Sequence, residues 1–64
     1  MPSTVIRSFS YDALKHRLRV VFVSGMVYEY LNVPQEIYDE MRAAFSKGTY
    51  LNERIKGFYE FRKV

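Results

Sequence analysis

The chain has no cysteine, a single histidine, two prolines and three glycines among its 64 residues. Without cysteine there are no disulfides and no thiolate metal site, and His16 alone cannot assemble a histidine cluster. Met1, Met26 and Met41 show no spacing that implies a soft-metal site. No metal and no cofactor are therefore expected. The few glycines and prolines leave no linker, repeat or low-complexity segment. The longest aliphatic and aromatic run, Val20 to Val23, falls far short of the roughly 20 residues a spanning helix needs. The opening residues, Met1 to Arg7, lack the basic start and apolar stretch of a secretory signal, so no membrane partner and a cytoplasmic address are expected.

What is present points to one globular domain over residues 1–64. The chain is 48% hydrophobic and 27% charged, a balance found in folded rather than disordered chains. A domain of this size hides only about 60% of its unfolded surface, so stability is marginal. A net charge of +3 and a pI near 9.4 favour polyanions without identifying one.

The first half of the chain alternates with period two. Thr4 to Tyr11, Arg17 to Val23 and Met26 to Leu31 read as strands, with Asp12 to His16 a polar turn. Their short connections predict a three-stranded antiparallel meander. After Asn32 the period becomes helical. Pro34 suits a first helical position and Glu36 suits the first turn, while Ile37, Tyr38, Met41, Ala44 and Phe45 recur on one face. This predicts a helix over Pro34–Ser46 ended by Gly48. A shorter one is expected from Tyr50 to Lys56, capped by Thr49, carrying Leu51 and Ile55 inward and ended by Gly57. The fold class is thus α+β, with an aromatic tail, Phe58 to Val64, packed back on the body.

The order Leu18-x-Val20-x-Phe22, Gly25, Tyr28-x-Tyr30, Val33-Pro34, Ser46-Lys47-Gly48-x-Tyr50-x-Asn52, Ile55 and Tyr59 resembles the KTSC domain, a module of similar length also found at the C-terminus of some lysyl-tRNA synthetases. The resemblance covers nearly the whole chain. It implies no established activity, and it suggests RNA binding through the proteins that carry the module.

Tyr28 and Tyr30, at i and i+2, must point to one side of a strand. A three-residue loop, Val23-Ser24-Gly25, sets Val20 opposite Tyr28 and Leu18 opposite Tyr30 and makes that face wholly apolar or aromatic. A two-residue Ser24-Gly25 turn sets Arg19 opposite Tyr30 instead, which would join the tyrosines to Arg17 and Arg19 as a base-stacking surface. The first register segregates polarity better and is the expected one. Its other face carries Arg17, Arg19, Val21, Val23, Val27, Glu29 and Leu31, to be covered by the second helix and tail or by another copy of the chain. Arg19 and Glu29 are expected as a diagonal pair contributing at most about 1 kcal/mol.

A second candidate surface is the C-terminal third, where Lys47, Arg54, Lys56, Arg62 and Lys63 mingle with Tyr50, Phe58, Tyr59 and Phe61, the mixture that tracks phosphates while stacking bases. The plainer reading makes those aromatics core and the cations their solvated side. His16 in its turn, and Asp39-Glu40 about 100° apart on a helix, form no acid/base constellation, so no enzyme is expected. The residues marked for nucleic-acid contact are Arg17, Arg19, Tyr28, Tyr30, Lys47, Tyr50, Arg54 and Lys56. If about five phosphates were engaged, affinity for a single strand would fall roughly a hundredfold between 50 and 200 mM salt. The competing expectation is a protein-interaction or self-association module using the sheet face or an unpaired strand edge.

Overall fold

A computed structural model describes residues 5–64; Met1 and Thr4, the start of the expected first strand, lie outside them. Strands β1 (Ile6–Asp12), β2 (Arg17–Phe22) and β3 (Val27–Tyr30) form the expected antiparallel meander. The register is that of the three-residue loop. Leu18 faces Tyr30 and Val20 faces Tyr28, and the Phe22 N–H donates to the Met26 carbonyl at 2.9 Å. Gly25 stands at φ +94°, the left-handed position that this loop assigns to glycine.

Helix α1 (Gln35–Ala43) begins one residue later than expected, because Pro34 at ψ 149° is its extended N-cap and not its first helical residue. It stops short of Ser46, because Ala44 turns extended at ψ 140° and the next turn starts its own cap. The Ser46 hydroxyl accepts from the Thr49 N–H at 3.3 Å, so Ser46, not Thr49, caps helix α2 (Lys47–Tyr50). Gly48 is not a terminator; it is buried inside α2. Phe45, expected on the apolar stripe, lies in the break and is fully exposed. The second helix widens over Leu51–Ile55 into a π turn, in which the Lys56 N–H reaches back five residues to the Leu51 carbonyl at 2.7 Å. Leu51 and Ile55 still both reach the core, and Gly57 at φ +89° ends the turn. No helix among the described residues is long and apolar enough to cross a membrane.

The sheet has one strand more than the sequence suggested. The tail returns as β4 (Phe61–Lys63), antiparallel to β3, giving the order β1-β2-β3-β4. A three-residue strand with all its residues exposed leaves too short a period-two pattern to read. Both helices lie on one face of the sheet, the inner face. There Leu18, Val20 and Tyr30 meet Val33, Met41, Leu51 and Ile55, all 0–2% exposed, and burying side chains of this kind stabilises by about 1.5–3 kcal/mol each. Tyr38 of α1 joins β1 to this core, its ring stacked on Tyr11 at 5.2 Å and edge-on to Phe9 at 5.8 Å.

Candidate functional site

The helices cover only part of the inner face. Toward the β2–β3 loop the aromatic row continues, with Phe22 and Tyr28 only half-buried against the core. Phe22 meets Tyr28 edge-on at 5.3 Å, and Tyr28 stacks on Phe61 of β4 at 4.9 Å and 24°. The second spacing matches the distance between neighbouring strands, as expected for rings carried by adjacent strands on one face. Phe61 keeps 52% of its surface exposed. A cleft of about 500 Å³ opens beside the row, lined mainly by Val5, Phe22, Met26, Tyr28 and Lys56.

Cations border these rings. Lys63 lies opposite Tyr28 in the ladder, two residues from Phe61 and therefore on its face of the sheet. Lys56 comes to the cleft from the end of the π turn. Nearby, Phe58 is 71% exposed. The arrangement is a ring stack half exposed at Phe61, with Lys63 on the same face of the sheet and Lys56 on the adjoining cleft. It can hold a flat aromatic ligand that carries negative charge.

The outer face is built differently. The Glu29 carboxylate accepts from Arg17 at 3.2 Å and Arg19 at 3.1 Å, and Arg62 of β4 approaches to 3.7 Å. Arg19 and Glu29 stand directly opposite, not diagonally, and Glu29 is buried at 8% exposure. The Arg19 hydrogen bond, with the charges of all three arginines, holds the Glu29 carboxyl below its ordinary range against the opposing effect of burial. The apolar residues expected on this face are only partly bare: Val21, Val27 and Leu31 are half-buried, while Val23 lies in the loop past the end of β2 and lines the inner-face cleft. The tail screens this side as a strand rather than by lying across it.

The eight residues marked in the sequence thus separate. Arg17 and Arg19 are on the outer face, bound to Glu29. Tyr30 is core at 2% exposure, and burial raises its pKa, with a smaller contribution from Tyr28. Lys47 donates to the Ala44 carbonyl at 2.8 Å across the helix junction. Tyr50 donates to Glu40 at 2.7 Å; burial and then that carboxylate push its pKa up to about 12. Arg54 is exposed on the π turn. Tyr28, Lys56 and the edge of the buried Tyr30 meet at the cleft. Phe22 was read only as a strand residue, and Phe61 and Lys63 only as part of the basic, aromatic C-terminal third, outside the eight marked residues. The signal for two of them was the alternation Phe61-Arg62-Lys63, which puts ring and amine on one side and guanidinium on the other. No group of three or more potential metal-ligating side chains converges among the described residues.

Comparison with known proteins gives a consistent picture. The crystal structure of a KTSC domain protein from Yersinia pestis superimposes with a TM-score of 0.86 at 35% identity, covering 92% of this chain and 83% of that one. A lysine–tRNA ligase from Nostoc punctiforme is 39% identical over 61 residues, which are 95% of this chain but 11% of the ligase. The lysine–tRNA ligase of Trichormus variabilis is similar at 36% over 59 residues, 92% of this chain and 10% of the ligase. The chain therefore spans about a tenth of the length of these ligases and corresponds to one region of them. A protein from Tsukamurella paurometabola matches at 35% identity over 54 residues, 84% of this chain and 81% of that protein. The KTSC domain model itself matches residues 2–59, and this chain belongs to the KTSC domain family.

Proposed function

We propose that the chain is a small non-enzymatic module that binds single-stranded nucleic acid, RNA foremost, on the open half of its inner sheet face. The observation that carries this reading is the Tyr28–Phe61 stack at 4.9 Å with Phe61 half exposed. A base laid on the free side of Phe61 would continue a stack already begun by protein rings, and every base has a face able to do so. Lys63 and Lys56 stand where the adjoining phosphates would run. The net charge of +3 supports a polyanion, as do relatives named for a tRNA ligand, and such a ligand accords with a cytoplasmic address.

Two or three engaged phosphates give a weaker salt dependence than the scattered cations of the sequence suggested. Affinity for a short single strand is expected to fall roughly tenfold between 50 and 200 mM salt. Fluorescence anisotropy with labelled oligoribonucleotides tests this. Binding with that slope, reduced by Phe61→Ala and Lys63→Ala, supports the proposal; no saturable binding by the unaltered chain removes it.

The second reading, a protein-interaction or self-association module, is favoured by one observation: the loop end of the cleft is aliphatic, with Val5, Val23 and Met26 beside Phe22. Sedimentation decides it. A concentration-dependent dimer broken by Val23→Lys would support this reading, and a monomer at all concentrations would count against self-association.

A further inference from the structure

The ion cluster on the outer face and the ring row on the inner face are joined through one short strand. We infer that Glu29 is a positioning residue: by gathering Arg62 to the outer face it keeps β4 in register and so presents Phe61 and Lys63 on the inner face. The inference rests on the nucleic-acid reading of that inner surface.

Strand β4 is a short edge strand. It is three residues long and all three are exposed. It is held by its ladder to β3, by the hydrogen bonds Leu31 N–H to Glu60 and Val64 N–H to Val27 at 2.8 and 2.9 Å, and by the Phe61 ring against Tyr28 and Tyr30. Side chains in a strand alternate, so a slip of one residue would move Phe61 and Lys63 to the outer face and Arg62 to the inner one. The backbone ladder alone does not forbid that slip. Glu29 does, because its carboxylate lies on the outer face only and is already anchored by two β2 arginines, Arg17 at 3.2 Å and Arg19 at 3.1 Å. It offers Arg62 a fixed partner, and one carboxylate thereby ties β2, β3 and β4 together.

The test is Arg62→Glu, which sets two carboxylates side by side on the outer face and leaves every inner-face residue in place. Lys15→Glu, in the exposed β1–β2 turn, makes the same change in net charge and serves as the control. Amide exchange at Leu31 and Val64 reads β4 docking directly, without ligand. It is expected to rise at least about fivefold in Arg62→Glu, with Leu18 and Val20 unchanged, and to stay at its original rate in Lys15→Glu and Arg62→Lys. Affinity for a labelled short single-stranded RNA is expected to fall about tenfold beyond the loss in Lys15→Glu, the effect of losing one stacked base, and to be retained in Arg62→Lys. If Arg62→Glu matches Lys15→Glu in both exchange and affinity, the inference is overturned. If exchange rises but the unaltered chain binds no RNA, the positioning of β4 by Glu29 stands and the nucleic-acid reading fails.

Discussion

The two halves of the inner sheet face are made of similar residues and differ in burial. At the covered end Leu18, Val20 and Tyr30 lie under Met41, Leu51 and Ile55 and are sealed from water. At the other end Phe22 and Tyr28 are only half-buried and Phe61 is half exposed, in a comparable row. A 64-residue chain with marginal stability gains by roofing its apolar surface. On the proposed reading, the half-exposed Phe61 ring is left open for a ligand. The contrast separates stability from binding: residues of the covered half should matter to folding, those of the open half to affinity.

The largest expected effect lies in the covered half. Ile55→Ala should destabilise the domain by about 2–5 kcal/mol in chemical denaturation, because the side chain is fully buried and its loss leaves a cavity. Phe61→Ala reverses the balance. It should cost no more than about 1 kcal/mol of stability at a half-exposed position, yet weaken RNA binding by about 1–3 kcal/mol. A Phe61→Ala chain that unfolded as readily as Ile55→Ala would erase the distinction between the halves.

Smaller effects sharpen it. Glu40→Gln replaces the charged acceptor of the Tyr50 hydroxyl with a neutral one and should cost about 1 kcal/mol in the same assay, with affinity unchanged because Tyr50 is outside the cleft. The folded-state pKa of Tyr50 is raised to about 12. Its contribution is therefore fully present below the ordinary tyrosine value near 10 and is lost as pH rises from there through about 12. The loss should shrink in Glu40→Gln, as a spectroscopic tyrosine titration would show. Glu29 acts in the opposite direction. Its carboxyl is lowered in the fold, so its contribution is present above the ordinary glutamate range near pH 4.3 and fades as pH falls through the lowered value. Exchange at Val64 should rise over that acid interval before the core amides respond.

Most of the fold was legible because its signals are local. The Leu18-x-Val20-x-Phe22 and Tyr28-x-Tyr30 alternations, with Gly25 between them, are enough to set the hairpin register and place Tyr30 in the core. The start of helix α1 was legible, to within one residue, from Pro34. Its end was not, since Ser46 caps a new turn where the apolar period alone runs on to Phe45. Strand β4 was hidden by its length and by dependence on a partner 33 residues away, Glu29 for Arg62. The site inherited that omission. Tyr28 and Lys56 could be marked from the sequence, but Phe61 and Lys63 join them only once β4 is docked. Arg17 and Arg19 were marked as potential phosphate ligands through the alternative two-residue turn; in the register found, Arg19 stands opposite Glu29 and both guanidiniums bind its carboxylate.

The most direct measurement is an amide chemical-shift map of the unaltered chain titrated with a mixed pool of short single-stranded RNA. Shifts that saturate together at Phe22, Tyr28, Phe61 and Lys63, with Arg17, Arg19 and the outward side of α1 unmoved, are the result expected of a ligand on the open half of the inner face. Saturable shifts centred on Arg17, Arg19 and Ser10 instead, or none at all, would contradict it.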